Sequence, residues 1–173
     1  NATDISTAVD EILSATPFVD IHTHLFPPAF GKLALWGVDE LLTYHYLEAE
    51  LFRFSPVTPD QYWALTKGQR ADLIWKTLFV ENSPVSEATR GATAVLSALG
   101  LDPAAPSLEP FRAFFRAQDF AAHIRQVFRL AGVSEVVMTN DPLDPEEAPL
   151  WESGARPEEG FRAALRLDRV LNE

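Results

Sequence analysis

The sequence predicts a mixed α/β fold in which helices dominate. Two short segments have the β-branched and aromatic composition of strands, Phe18–His22 and Val133–Met138, and the residues between them carry helical periodicity and cap signals. The 173 residues are 47% hydrophobic and 23% charged, which is typical of globular proteins. Because two strands cannot form a sheet domain with a full core, we expect the opening part of a larger α/β protein.

The charge balance and the residue types narrow the class of protein. Acidic residues outnumber basic residues by 25 to 14, giving a net charge of −11. Nucleic acids and anionic membranes are therefore poor partners, since both require clustered Lys and Arg. The chain has no cysteine, which excludes disulfides and thiolate metal sites. No signal peptide and no apolar run of roughly 20 residues is evident, so we expect a cytoplasmic protein.

The first elements form a helix and a strand. An apolar stripe at helical spacing predicts a helix over about 3–14, and Pro17 ends it. The members of the stripe are Ile5, Val9, Ile12 and Leu13. The strand Phe18–His22 follows, with Phe18 and Val19 expected to anchor it in a core.

The middle of the chain is predicted to be helical. One helix is expected over Val38–Phe54, and three later helices begin with cap-and-proline signals at Thr58-Pro59, Ser83-Pro84 and Ser107–Pro110. Gln61 completes a capping box with Thr58. Gly100 and Gly132 stand where helices should end in a left-handed residue. The last helix of this part has its apolar face over 120–131.

The remaining chain contains the second strand and an acidic loop. Val133–Met138 is followed by a proline-rich segment over 141–159, which holds seven acidic residues against the single base Arg156. Residues 161–169 fit an extended segment or a short helix equally well. We therefore divide the chain into a first helix and strand (1–35), a helical insertion (36–132) and a second strand with the start of the next unit (133–173), all within one incomplete domain.

The strongest chemical signal is the sequence His22-Thr23-His24 at the end of the first strand. In an extended chain these two histidines point to the same face, and their spacing lets both imidazoles bind one divalent metal. Neutral imidazole suits zinc and other transition metals. The alternative is a pair of histidines that only form hydrogen bonds near a turn. The preceding strand and Asp20 favour the metal site.

Two further clusters leave their roles open. Tyr44-His45-Tyr46 lies inside the predicted helix 38–54 and could move protons between sugar hydroxyls, or form a half-buried aromatic patch. On a helix only part of this cluster can face one cleft, so spacing alone favours the patch. Asp141, in Thr139–Pro142, either lines a site at the end of the second strand or forms an Asx turn before Pro142.

These residues together resemble a known family. Phe18–Leu25 is similar to the first-strand motif of the amidohydrolase superfamily. The long helical insertion, His45-Tyr46 and the strand ending in Asp141-Pro142 narrow the resemblance to the uronate isomerases. The likeness extends from about Pro17 to the C-terminus and implies the N-terminal part of a distorted (β/α)8 barrel with a large insertion after the first strand.

The resemblance implies an activity and roles for individual residues. Uronate isomerases interconvert D-glucuronate with D-fructuronate and D-galacturonate with D-tagaturonate. His22 and His24 would bind the metal, with zinc favoured, His45 would help to open the sugar ring, and Tyr46 would move the proton of the C2 hydroxyl. Asp141 would contact the hexuronate. Ile21 and Thr23, which flank the histidines, depart from the commonest form of the motif, which indicates a divergent subgroup with an altered substrate preference.

The metal site is expected to be unfinished within these residues. A catalytic zinc takes three protein ligands and keeps one open position, and no second histidine pair is present. Asp20, Asp141 or Glu81 could contribute, but a ligand beyond Glu173 is the better expectation. We therefore expect the 173 residues alone to be inactive, because two ligands cannot hold a metal in catalytic geometry.

Two other classes of function stay open. A metal-dependent hydrolase of the amidohydrolase superfamily would share the histidine pair and add a histidine or lysine on later strands. A non-catalytic helical module would use its aromatic helices as a binding or homo-oligomer surface. Metal content separates the module from both enzymes, and uronate turnover separates the two enzymes.

Overall fold

Three parallel strands and a set of short helices make up the computed structural model, which describes residues 2–172 and their side chains from Asp4 onward. The strands are β1 (Phe18–Thr23), β2 (Val133–Met138) and β3 (Phe161–Arg162), in the order β1-β2-β3. The helices before residue 60 are α1 (Ala2–Ala15), α2 (Val38–Leu42), α3 (His45–Phe54) and α4 (Pro59–Trp63). The later helices are α5 (Lys67–Trp75), α6 (Glu87–Ala98), α7 (Glu109–Ala117), α8 (Phe120–Ala131), α9 (Ala148–Glu152) and α10 (Asp168–Leu171). The mixed, mostly helical α/β class is therefore confirmed.

The chain folds into two compact units. The sheet unit contains residues 2–34 and 119–172, and the helical unit contains residues 35–118. The predicted insertion over 36–132 includes α8, whereas the structure places α8 in the sheet unit. The reason is its apolar face, which packs on the sheet through Ile124 and Phe128.

The register between β1 and β2 shifts twice. Phe18 pairs with Val133 and Val19 with Glu135, so β2 holds one extra residue there. Asp20 pairs with Val136 and Thr23 with Met138, so β1 holds the extra residue in the stretch that contains His22. Such bulges re-aim side chains and are common beside functional sites.

The core of the sheet unit lies between the sheet and the helices that cover one face of it. Val136, Met138 and Phe161 point from the strands into this core. Phe30, in a short 3₁₀ helix over Pro28–Leu33, packs against Trp151 of α9 with ring centroids 4.7 Å apart. Phe18 and Val19, which we expected in this core, are 44% and 53% exposed, and neither belongs to its packed cluster.

The helical unit has its own core, built mainly from side chains of the six helices α2 to α7. Trp75 stacks on Phe79 with centroids 4.5 Å apart and meets Phe111 edge-on at 5.2 Å. Leu47 and Leu51 of α3 are buried in the same cluster. This packing fixes α3, the helix that begins at His45.

Several predicted helix ends are confirmed. Thr58 and Gln61 form a capping box at the start of α4, since each side chain accepts a hydrogen bond from the backbone N–H of the other residue. Gly100 and Gly132 adopt positive φ angles of 77° and 64° after α6 and α8, as expected for residues without a Cβ. No helix within residues 2–172 has the length and apolar character needed to cross a membrane.

Other predicted elements were wrong in detail. The helix expected over Val38–Phe54 is two helices, because Thr43 ends α2 and Tyr44 is extended (φ −78°, ψ 142°). The Thr43 hydroxyl donates to the Asp39 carbonyl at 2.7 Å and closes α2.

The start expected at Ser83-Pro84 lies three residues later, at Ser86, whose Oγ accepts from the Thr89 N–H. The start expected at Ser107 also lies later, because Leu108 precedes the first residue of α7 and Pro110 occupies its first turn. The acidic loop contains α9, and the undecided segment 161–169 contains both β3 and the first residues of α10.

Candidate active site

The histidine pair lies at the carboxyl end of β1. His22 is in the strand and His24 follows it, and both are exposed. Their rings meet edge-on with centroids 5.6 Å apart and an interplanar angle of 82°. The Asp20 carboxylate accepts from the His22 backbone N–H at 3.0 Å, so Asp20 supports the turn of the chain at this histidine.

The spacing of the two rings suits a shared divalent metal. Two imidazoles that bind one tetrahedral zinc at about 2 Å have ring centroids about 5 Å apart. The observed 5.6 Å is close to this value. Within residues 2–172, no three His, Cys, Asp or Glu side chains gather closely enough to hold a metal ion. Glu81 belongs to the helical unit, where its Oε1 lies 3.5 Å from Lys76 Nζ.

Thr139 joins the end of β2 to the histidine-bearing end of β1. Its backbone N–H and its hydroxyl both donate to the Thr23 carbonyl, at 3.1 and 2.7 Å. The same hydroxyl lies 3.5 Å from His24 Nδ1. The bonds to Thr23 fix the backbone between the two histidines.

An open cavity of about 520 Å³ adjoins this edge of the sheet unit. Thr139 and Asp141 line it after β2, and Arg166 and Arg169 line it after β3. The remaining lining residues are Phe26, Leu33, Asp144, Glu147 and Asp168. Ligands of open α/β sheets bind at the carboxyl ends of the strands, so this is the expected place for a substrate.

The two arginines of the cavity are held in different ways. Arg169 is fixed on three sides: its Nε lies 3.2 Å from Asp141, and two further nitrogens donate to Asp144 (2.7 Å) and to the Leu143 carbonyl (3.2 Å). Arg166 is more exposed, and its Nε donates to Asp168 at 2.7 Å. This bond lowers the pKa of Asp168 and raises that of Arg166, so both stay charged near neutral pH.

Asp141 both forms an Asx turn and lines the cavity, which are the two alternatives that the sequence left open. Its Oδ1 accepts from the Leu143 N–H at 3.1 Å, which forms an Asx turn, and its Oδ2 faces Arg169 at the cavity wall. The nearly buried Glu147 accepts from the Asp141 N–H and from the indole of Trp151, both at 2.7 Å. These contacts fix the start of the acidic loop.

The helical unit carries the second predicted cluster at the start of α3. The His45 ring lies between two tyrosine rings, with centroids 4.3 Å from Tyr44 and 4.1 Å from Tyr46. Tyr44 is extended and precedes the helix, and its ring centroid also lies 5.6 Å from that of Tyr46, so three consecutive rings gather here. Tyr46 and His45 are exposed, and Tyr46 borders a groove of about 570 Å³ with Glu50 and Arg53.

The helix that holds this cluster is anchored through Glu48, in the first turn of α3. Glu48 accepts from the Tyr62 hydroxyl at 2.8 Å and faces Arg70 at 3.5 Å. Burial raises the pKa of the Tyr62 phenol, which therefore stays protonated and keeps donating. The first turn of α3 is thus fixed while its exposed rings face outward.

The predicted site residues therefore fall into two groups. His22, His24 and Asp141 lie in the sheet unit, and His45 and Tyr46 lie next to each other in the helical unit. The sequence alone did not identify Arg166 and Arg169 as cavity residues. The sequence does contain a signal for these residues, since two arginines three residues apart follow a short apolar segment at the end of the third strand.

Comparison with known proteins gives one informative match. No protein-family model and no curated protein matches the chain. Among solved structures, a uronate isomerase from Bacillus halodurans C-125 is similar to it, with 46% sequence identity and a TM-score of 0.94. The match covers 99% of this chain and 41% of that protein.

The predicted resemblance to the uronate isomerases is confirmed. The two sequences share nearly half of their residues over almost the whole chain, and the TM-score shows that the backbones coincide. The chain spans 41% of the length of this uronate isomerase. Both units of the chain fall within the match, including the histidine pair and the cavity of the sheet unit.

Proposed function

We propose that this chain is part of an aldose–ketose isomerase that acts on hexuronates. The observation that carries the proposal is the 46% identity to a uronate isomerase over 99% of the chain. The substrates we propose are D-glucuronate, converted to D-fructuronate, and D-galacturonate, converted to D-tagaturonate. The cavity at the strand ends of the sheet unit supports the proposal, because a hexuronate is a small polar anion and two arginines line this cavity.

The sheet unit supplies binding and orientation. Arg166 is the better contact for the substrate carboxylate, because the guanidinium of Arg169 is already held on three sides by groups of the acidic loop. Asp141 fixes Arg169, and in our proposal its carboxylate accepts a hydrogen bond from a hydroxyl of the sugar. A charge-assisted bond from Arg166 would orient the carboxylate and thereby place the far end of the sugar.

His22 and His24 are the proposed ligands of a divalent metal, with zinc favoured. Their ring separation fits a shared ion, and imidazole nitrogen is a suitable metal ligand. When bound, such an ion would supply Lewis acidity beside the carbonyl and hydroxyl oxygens of the substrate. The neighbouring Thr139 hydroxyl and the Asp20 carboxylate orient the segment that carries both rings.

His45 and Tyr46 are the proposed proton-transfer residues. Opening of the sugar ring requires a group that exchanges a proton with the ring oxygen, and the imidazole of His45 can both donate and accept a proton. Isomerisation then moves a proton between C2 and C1 through an enediol, and the Tyr46 hydroxyl can exchange the C2 hydroxyl proton. These roles rest on the resemblance, and the exposure of both rings is compatible with them.

The architecture we propose for the whole enzyme is a distorted (β/α)8 barrel. The three parallel strands would be its first three, and the helical unit would be an insertion after the first strand. Residues 2–34 would then hold the first strand, residues 35–118 the insertion, and residues 119–172 the helix α8 and the following strands. Placement of the histidines and arginines at strand ends agrees with the usual position of barrel active sites.

The test is ketose formation from D-glucuronate and D-galacturonate by the complete gene product that carries this sequence. Intact mass and bound metal are recorded on the same sample. We expect turnover, and a loss of more than about 100-fold in His22→Ala and His24→Ala, since even hydrogen-bond partners of metal ligands contribute about 10- to 100-fold. His123→Leu is the matched control, because His123 is buried in α8 and is not part of the proposed site.

The other outcomes identify the rival functions. A metal-loaded product that does not convert either uronate contradicts the isomerase and favours a hydrolase. A product without metal or turnover favours the non-catalytic module and returns His22 and His24 to a structural role. The 173 residues alone are expected to show no turnover, and activity of that piece would contradict the proposed need for further ligands.

A further inference from the structure

Asn140 is the most deeply buried polar side chain beside the cavity of the sheet unit. It follows Thr139 after β2 and is only 1% exposed. A buried amide is costly unless it is hydrogen-bonded, so its partners indicate what it is for. It does not line the cavity, and both ends of its amide are engaged by the backbone, so we expect any effect on a ligand there to pass through its neighbours.

Both partners of Asn140 are backbone groups of one residue. The side-chain Nδ2 donates to the Ala164 carbonyl, and the Ala164 N–H donates to Oδ1, each at 2.7 Å. The ladder between β2 and β3 ends at the pair Val137 and Arg162. The Asn140 amide thus takes the place of a backbone partner just beyond the end of the ladder.

The segment that starts at Ala164 carries both arginines of the cavity. Arg166 and Arg169 lie two and five residues further along, and the ladder to β3 has already ended. With β3 only two residues long, the sheet alone gives this segment little support. The Asn140 amide therefore sets the point from which the two arginines reach the cavity.

Thr139 performs the matching function on the other side. Its bonds to the Thr23 carbonyl fix the strand end that carries His22 and His24. Thr139 therefore fixes the strand end that carries the histidines, and the adjacent Asn140 fixes the segment that carries the arginines. Glu147 fixes the N–H of the next residue, Asp141, in the same way.

We propose that Asn140 is a positioning residue that sets Arg166 for binding of the substrate carboxylate. It acts through the arginine segment, not through direct contact. The expected change in KM rests on the proposed hexuronate isomerase activity. The expected change in hydrogen exchange rests on the hydrogen bonds of Ala164.

The test compares Asn140→Ala and Asn140→Asp with the wild type in the complete gene product. Hydrogen exchange followed by mass spectrometry reports peptides over 161–169. We expect exchange there to accelerate by about ten- to a hundredfold in Asn140→Ala, because the partly buried Ala164 loses both hydrogen-bond partners. Asn140→Asp keeps an acceptor for the Ala164 N–H, so it should show a smaller acceleration and remain informative if Asn140→Ala does not fold.

Kinetics separates a positioning role from a merely structural one. We expect Asn140→Ala to raise KM for D-glucuronate about tenfold or more with kcat changed much less, since the carboxylate is remote from C1 and C2. Asn140→Asp should recover part of the loss. Asn82→Ala is the control: Asn82 Nδ2 also donates to a backbone carbonyl, that of Thr77 at 2.7 Å, but in the helical unit.

The two proposals fail in different ways. If the wild type does not convert hexuronates, the proposed function fails, and the exchange data alone decide whether Asn140 holds the arginine segment. If the wild type is active but Asn140→Ala leaves exchange over 161–169 or KM unchanged, the positioning role is wrong. Equal effects of Asn140→Ala and Asn82→Ala on KM would also overturn it.

Discussion

The helical unit and the sheet unit bury their apolar residues to different extents. In the described part of the chain, fourteen buried residues form the core of the helical unit, and six form that of the sheet unit. The sheet unit also exposes the apolar stripe of α1 and three apolar residues of β1. The exposed residues are Ile5, Val9, Ile12, Leu13, Phe18, Val19 and Ile21.

The helical unit therefore holds most of the buried apolar core, whereas the sheet unit contains the residues proposed to bind the metal and the substrate carboxylate. The helical unit stabilises itself, because its aromatic side chains pack on one another. The sheet unit holds the histidine pair and the cavity with polar contacts at strand ends, above a smaller core. Substitutions in the two units should therefore differ in size and in kind.

The largest effect is expected for Trp75→Ala in the helical unit. Trp75 is 2% exposed, packs on Phe79 and Phe111, and donates its indole N–H to the Ala105 carbonyl at 3.1 Å. Truncation leaves a large cavity and should lower the free energy of unfolding by about 3–5 kcal/mol. Urea denaturation followed by circular dichroism measures this. Trp63→Ala is the control, because Trp63 is mostly exposed and should cost about 1 kcal/mol or less; equal losses would contradict the core assignment.

A smaller loss is expected for Arg112→Met, which removes the charged link between three helices of the helical unit. Arg112 on α7 contacts Asp39 of α2 at 2.9 Å and Asp72 of α5 at 2.9 Å, and donates to the Gly68 carbonyl. Loss of a partly buried, hydrogen-bonded charge should cost about 2–3 kcal/mol. Lys67→Met breaks an exposed pair with Glu40 and should cost less than about 0.5 kcal/mol. If both variants unfold at the same urea concentration, the link contributes nothing beyond a surface pair.

The sheet unit should show a pH dependence of its own through His123. Burial in α8 lowers the pKa of His123 below its ordinary value of 6.5. Below about pH 6.5 the unfolded chain therefore binds more protons than the folded chain, so this contribution to stability is present above that pH and lost as the pH falls. Thermal unfolding between pH 8 and 5 should show the wild type weakening at low pH and His123→Leu weakening less. Parallel curves for the two proteins would contradict the assignment.

The smallest effect is expected for Ile12→Ser on α1. Ile12 is 64% exposed, so replacing it with serine in the 173-residue chain should change the free energy of unfolding by less than about 0.5 kcal/mol. Urea denaturation of the 173-residue chain measures this. A loss above 1 kcal/mol would mean that the stripe of α1 is covered in solution, which would remove much of the contrast between the two units.

Local chemistry explains which parts of the fold could be predicted from the sequence. Caps and end signals worked at Thr58, Gly100 and Gly132, because each depends on a few neighbouring residues. The break at Thr43 and Tyr44 could not be predicted, since no Gly or Pro marks it. β3 could not be predicted either, because two residues carry no periodicity and only their pairing with β2 makes them a strand.

The candidate site divides in the same way. The pairing of His22 with His24 follows from strand alternation, and the rings are adjacent as expected. Arg166, Arg169 and Asn140 depend on contacts between segments more than twenty residues apart, such as the bond from Asn140 to Ala164. Phe18 and Val19 had the composition of core residues, yet both are largely exposed, since burial depends on which other segments pack against the strand.

The most direct test of the central claim is the binding preference of the complete gene product for D-glucuronate over D-glucose, which lacks the carboxylate. Calorimetric titration of the wild type should show a preference of at least about tenfold, because a charge-assisted bond to Arg166 is expected to contribute that much. Arg166→Met should lose the preference while its thermal unfolding stays close to that of the wild type. Equal binding of the two sugars by the wild type, or a preference that survives in Arg166→Met, would contradict the account.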